Sequence, residues 1–295
     1  KLSDICGAMY PENRGEESIT GETIRDTYAD LIYDPVDPSK VIYFEPAIFT
    51  PRTQDLSDSH LKIIGEFIAR EANIIENIVY PRNSDIQRTL VILKPDNWKA
   101  ASSRPGAVID MFSRTGLRIV GTKVHRFSVA QALEFYGPVK DILIQKLSPI
   151  FGGKARNMLE EGLNLQLNKE AAHCLEQTIG REYAIEQFNQ IIEFMSGTRP
   201  DACPQELLHE GGGVKCMILI YEGTQAIEKI REVLGPTDPL KAPTGTIRRE
   251  FGSNVMVNTA HASDSVENAK REMDIVQIDK NPCAQIIAHY LGQIH

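Results

Sequence analysis

Long apolar runs, basic excess, paired cysteines and the common phosphate-binding loops are all missing from this chain. Its apolar stretches are short and broken by charge. A bilayer needs about 20 consecutive apolar residues, so no membrane association is expected. The opening residues, KLSDICGAMYPENRGEE, hold neither an apolar signal core nor an Arg-rich amphipathic presequence, and the expected location is cytoplasmic. The five cysteines, Cys6, Cys174, Cys203, Cys216 and Cys283, are odd in number and form no CxxC or Cys/His pattern. That speaks against a disulfide scaffold or a zinc site and for a reducing compartment. The net charge of −8 argues against a general polyanion binder, so no specific nucleic acid partner is expected. No GxxxxGK[ST] or GxGxxG stretch occurs, and GGKAR at 152–156 lacks the required spacing and hydroxyl. No carboxylate cluster suggests an all-protein metal site.

What remains is ordinary globular material, 42% apolar and 24% charged over 295 residues, enough for a full core. Residues 1–40 are polar, with a turn region at Pro35 and Pro38. VIYFEPAIF (41–49) reads as an edge strand or extended segment because of Pro46. Residues 56–79 read as an amphipathic helix, with Leu61, Ile64, Ile68, Ala72, Ile75 and Val79 recurring at three- and four-residue steps. From Arg88 the texture changes. The segment RTLVILKP predicts a strand, RPGAVIDMFSRTG a helix and LRIVGTKVHRFS a second strand. Ser128 caps a short helix through Tyr136. A helical insert follows over 137–182, interrupted at Gly152-Gly153, then a helix ending at Gly197 and a loop over 198–212. VKCMILIY reads as a central strand, GTQAIEKIREVLG as a helix, NVMVNTA as the last strand and SDSVENAKREM as a helix capped by Ser263 or Asp264. The expected fold is α+β. It is a ferredoxin-like βαββαβ antiparallel sheet with helices on one face, plus helical inserts and an N-terminal extension. Residues 1–86 form the extension and 87–295 the main domain.

The densest chemistry lies between Val233 and Glu272. His261 sits between an apolar β-rich run and a charged helical run, after a loop with threonines and two arginines. A neutral imidazole attacks phosphorus near pH 7 without prior ionisation, so it needs no P-loop to be useful. Glu272 follows by eleven residues, long enough for strand, turn and two helical turns. A carboxylate there fixes the tautomer by bonding one ring nitrogen and leaves the other free. The plain alternatives are a core or surface histidine and a solvated glutamate.

Four ordered motifs, NTAHASDS, GTIRREF, GPTDP and LKPD, give the chain a close resemblance to the nucleoside diphosphate kinases, over residues 88–136, 183–197 and 213–276. The resemblance implies a ping-pong transfer of the terminal phosphate from a nucleoside triphosphate to a diphosphate, ATP, GTP, ADP and GDP among them. His261 becomes the phosphohistidine and Glu272 its orienting acid. Lys94 bonds the sugar hydroxyl and the moving phosphate, and Tyr136 stands near the terminal phosphate. Arg231, Arg248 and Thr237 bind phosphates, and Asn258 bonds the ribose 3′ oxygen. Phe188 aligns with the phenylalanine that stacks on the base, with helix-core packing as its alternative. Mg2+ is implied as the cofactor, bridging nucleotide phosphates, and a homo-oligomer as the assembly.

Ala262 and Arg249 stand where many relatives have glycine, and neither change removes a chemical group. The inserts and the extension are the larger departures. They keep a second reading open: a catalytically weak, nucleotide-binding regulatory or scaffold protein on the same fold.

Overall fold

The computed structural model describes residues 2–8, 23–76 and 78–294. Residues 9–22, part of the polar opening stretch, and Asn77, inside the expected 56–79 helix, lie outside the described residues. The chain divides into two compact units, one made of residues 1–71 with 283–295 and the other of residues 72–282.

The first unit begins with two short helices, α1 (Leu2–Cys6) and α2 (Ile24–Tyr28). A hairpin-like pair follows, β1 (Asp30–Tyr33) and β2 (Val41–Glu45), joined antiparallel as a two-stranded sheet. Helix α3 (Gln54–Ile68) is capped by the Thr53 hydroxyl on the Leu56 amide. It stops eleven residues short of the expected end at Val79. Ile74 forms a β-bridge to Gly121 and the Ile75 amide donates to the Val120 carbonyl at 2.8 Å, so this stretch joins the sheet of the second unit. The unit boundary therefore falls at 71/72 rather than 86/87.

The second unit holds the sheet. Its elements are β3 (Ile86–Leu93), α4 (Arg104–Ser113), β4 (Arg118–His125), α5 (Val129–Leu163), α6 (Lys169–Leu175) and α7 (Arg181–Ser196). Then come β5 (Cys216–Thr224), α8 (Ala226–Leu234), α9 (Ile247–Phe251), β6 (Ala260–Ala262) and α10 (Val266–Ile275). The last helix, α11 (Cys283–Ile294), belongs to the first unit, where its Tyr290 hydroxyl lies 2.9 Å from the Gln54 amide nitrogen of α3. The sheet order is β4-β5-β3-β6 with every neighbour antiparallel, which is the ferredoxin-like arrangement.

Helices cover both faces of this sheet, not one. Leu90, Ile92, Ile218 and Ile220 pack with Phe135, Phe188 and Ile192. Val91, Leu93, Leu219 and Tyr221 pack with Phe112, Ile230 and Leu234. The unbroken apolar runs TLVIL and CMILIY are the cause: alternate side chains of a strand point to opposite faces, so a continuous run needs cover on both.

The helical insert also differs from expectation. Helix α5 does not end at Tyr136 or break at Gly152-Gly153 but runs 35 residues, through Pro138 and Pro149. The glycines serve close approach instead. A Cβ on Gly152 would lie 2.5 Å from the Glu176 Cα, and one on Gly180 would lie 2.0 Å from the Ser148 carbonyl oxygen. Glu176–Gly180 is a π-helical turn that links α6 to α7. The insert is thus a helical hairpin whose arms touch backbone to backbone.

The last strand is short. NVMVNTA is mostly turn, and only Ala260–Ala262 pairs with β3. The following helix is capped by Ser265, whose hydroxyl accepts the Asn268 amide at 3.1 Å, rather than by Ser263 or Asp264.

Candidate active site

Strand β6 lies at the sheet edge with His261 opposite Ile92. Its position is set by the chain reversal before it. Thr259 is buried with φ +75°, an unusual backbone state for a β-branched residue. Neighbouring groups hold it there. The Thr259 carbonyl accepts the Lys94 amide at 3.0 Å and the Asn97 side-chain amide at 2.7 Å, and its hydroxyl accepts Arg104 at 2.8 Å. Arg104 is in turn paired with buried Asp96 at 2.6 Å. Asp96 of the KPD motif, with Asn97 and Arg104, therefore holds this reversal in place. Sequence reasoning missed these anchors, although the aspartate sits inside the motif itself.

The His261 ring bonds Glu272 through Nε2 at 3.0 Å. Glu272 is buried two turns into α10, and its same Oε2 accepts the Ser263 hydroxyl at 2.6 Å. His261 and Ser263, two apart on an extended segment, share a side, and that period is the signal by which Ser263 could have been found. The Nε2 contact leaves Nδ1 as the uncommitted nitrogen. Phe135 and Tyr136 of α5 stand across from the imidazole with ring centroids 5.1 and 6.1 Å away, both near perpendicular.

The ring faces a cleft of about 1160 Å³ whose lining includes Tyr136, Arg231, Thr237, Arg248, His261 and Glu272. Arg231 comes from the last turn of α8 and Arg248 from α9. Arg248 donates to the Gly235 carbonyl at 2.9 Å and the Ala260 carbonyl at 3.0 Å. Burial first, then repulsion from Arg231, pushes its guanidinium down to about 10. Two crowded cations on one wall form an anion-binding surface. The Tyr136 hydroxyl is buried with no protein partner. Burial, reinforced by the Glu272 carboxylate, holds that phenol above its ordinary range, so it stays protonated as a donor.

Lys94 and Asn258 lie together but not on the cleft lining. Lys94 Nζ donates to Asn258 Oδ1 at 2.6 Å, and Asn258 Nδ2 donates to the Thr237 and Val255 carbonyls at 3.0 and 2.8 Å. Asn258 is thus a buried tie between the first strand's end and the loop that starts at Thr237. Burial, then Arg248, pushes the Lys94 ammonium down to about 7. Phe188 is elsewhere. It is 2% exposed in the core between α7 and the sheet and does not line the cleft, so it offers no face to a base in this structure. Beyond Phe135 and Tyr136, the cleft wall from α5 is aliphatic, with Pro138, Val139 and Ile142.

A histidine held by a buried acid, in a cleft that two arginines also line, has the layout of a phosphotransferase on a ferredoxin-like sheet. The family model "Nucleoside diphosphate kinase" matches residues 186–280. A nucleoside diphosphate kinase of Anaeromyxobacter sp. (strain Fw109-5) is 32% identical over 187 residues, covering 63% of this chain and 86% of that protein. One of Kosmotoga olearia is 30% identical over 190 residues, covering 64% and 88%. Among solved structures, the Aquifex aeolicus nucleoside diphosphate kinase has 26% identity and a TM-score of 0.41, covering 65% of this chain and 94% of that one. The chain belongs to the nucleoside diphosphate kinase family, an enzyme family of nucleotide phosphotransfer that generally requires a divalent metal. Among the described residues, no helix is long and apolar enough to cross a membrane.

Proposed function

We propose that this protein transfers the terminal phosphate of a nucleoside triphosphate to a nucleoside diphosphate by a ping-pong route through His261. The observation that carries the reading is the 3.0 Å contact between His261 Nε2 and Glu272. It leaves Nδ1 as the attacking atom. Nδ1 forms a bond to the γ-phosphorus while the bond to the oxygen bridging the β- and γ-phosphorus breaks, and the diphosphate leaves with that electron pair. A second diphosphate reverses the step at the phosphohistidine. Glu272 compensates the positive charge that builds on the ring. Arg231, Arg248 and Thr237 take the phosphate oxygens, and the Tyr136 hydroxyl gains its missing partner there. Lys94 and Asn258, beneath the cleft, reach the sugar hydroxyl and phosphate after local rearrangement.

Magnesium is the metal we assign. It would be carried on the nucleotide phosphates held by Arg231, Arg248 and Thr237, where it would neutralise charge. Homo-oligomeric assembly is part of the same proposal.

Incubation with γ-labelled ATP and magnesium, followed by a GDP chase, tests the reading. Acid-labile, alkali-stable label should appear on the wild type, pass to GTP, and be absent from His261→Ala. Nucleotide binding without any label would instead establish a regulatory binder.

A further inference from the structure

Helix α5 carries Pro138 near its tenth residue. Proline has no backbone N–H, so the carbonyl four residues back, that of Glu134, loses its helical donor, and the ring crowds it. Freed carbonyls within a packed helix need another partner. Here the partner comes from a different element. Arg271 of α10 donates Nη1 to the Glu134 carbonyl and Nη2 to the Phe135 carbonyl, both at 3.2 Å. The same Nη2 lies 3.8 Å from Oε1 of Glu272. One planar fork therefore spans the proline break and the carboxylate that holds His261. The turn it grips bears Phe135 and Tyr136, the two rings set against the His261 imidazole. In sequence Arg271 is only a charged neighbour of Glu272 on a solvated helix.

We propose that Arg271 is a positioning residue for phosphorylation of His261. It closes the hydrogen-bond gap left by Pro138, and in doing so fixes the Phe135–Tyr136 turn and Glu272 against the imidazole. The long insert helix is thereby registered to the reacting nitrogen. This rests on the proposed function for what the register serves, while the clamp itself is a matter of structure.

A double-mutant cycle separates the two. Arg271→Lys keeps the charge but loses the fork, since one ammonium cannot match two carbonyls in that geometry. Pro138→Ala gives Glu134 back its helical donor. In the wild-type background, Arg271→Lys should lower the single-turnover rate of His261 labelling at saturating ATP by roughly 10- to 100-fold. Arg271 also lines the cleft, but both its terminal nitrogens are taken by the Glu134 and Phe135 carbonyls, so the nucleotide Kd should stay within about threefold. In the Pro138→Ala background the rate loss from Arg271→Lys should shrink several-fold. An unchanged rate, an equal loss in both backgrounds, or a loss confined to Kd would each overturn the proposal. If the wild type takes no label, the functional reading fails on its own. The same four proteins are then compared by melting temperature. Arg271→Lys should destabilise the protein with Pro138 more than the Pro138→Ala protein, and equal shifts would sink the clamp as well.

Discussion

Glu272 accepts two hydrogen bonds on one oxygen, from Ser263 and from the ring of His261. Replacing it with glutamine keeps the shape but removes the charge that, in the proposed reaction, answers the phosphorylated imidazole. A hydrogen bond to a charged group is worth about 1.5–3 kcal/mol, so Glu272→Gln should slow phosphohistidine formation roughly 10- to 100-fold with little change in Kd. Single-turnover labelling reads the rate, and an unaffected rate would remove Glu272 from the chemistry. Lys94 allows a test by proton count. Its ammonium sits near 7 because of burial and Arg248. Anionic phosphates favour the charged form and raise that value, so nucleotide binding at pH 8 should take up a proton. Calorimetry in two buffers of different ionisation enthalpy measures the uptake, which should vanish in Lys94→Gln. The same sign governs stability without ligand: the folded value lies below the unfolded one, so this group's contribution rises as pH climbs from about 7 to 10.5. At this scale placement was readable where motifs are contiguous, and His261, Glu272, Arg248 and Thr237 line one cleft. The placement of Phe188 was not, because its register hangs on an insert of unknown path, and its ring went to the core.

The insert shows why element boundaries resist local rules. Pro138, Pro149 and the Gly152-Gly153 pair all look like breaks, yet α5 continues through them. Tertiary partners override each local preference: Arg271 replaces a lost donor, and Gly152 admits the Glu176 backbone. Gly180→Ala should therefore cost roughly 1–3 kcal/mol, because its methyl has no room against the Ser148 carbonyl. Gly153 is the control. It lies inside α5, the facing arm of the hairpin, with nothing within 4 Å of a new Cβ, so Gly153→Ala should stabilise by about 0.5–1 kcal/mol through helix propensity alone. Urea unfolding of the two variants decides the matter. Equal effects of one sign would mean the hairpin arms are not in the backbone contact described. The continuous apolar strands, by contrast, were legible as strands, and only the consequence of their continuity, cover on both faces, was overlooked.

The division of the whole chain turns on residues 72–86, which read in sequence as the tail of an extension. They are tied to the sheet at several points. Ile74 bridges to Gly121, Ile74 and Ile78 pack on the core, and the Tyr80 hydroxyl donates to buried Glu222 at 2.9 Å. Arg88 bonds Glu222 as well and pairs with Glu76 at 3.1 Å. No pattern in the sequence announces this, because a single bridge and two isoleucines make no periodic signal. All the site residues proposed above fall within 72–282. A protein cut to 72–282 should therefore fold and bind nucleotide with its cleft chemistry intact. One cut to 87–282 loses the two isoleucines, worth up to about 1.5–3 kcal/mol each if fully buried, and leaves Glu222 without its tyrosine donor. The shorter piece should melt well below the longer one, with urea midpoints read by circular dichroism. Equal midpoints would show that 72–86 is an appendage after all. Failure of the 72–282 piece to fold would instead make residues 1–71 and 283–295 part of the stable unit and not a separable addition to it.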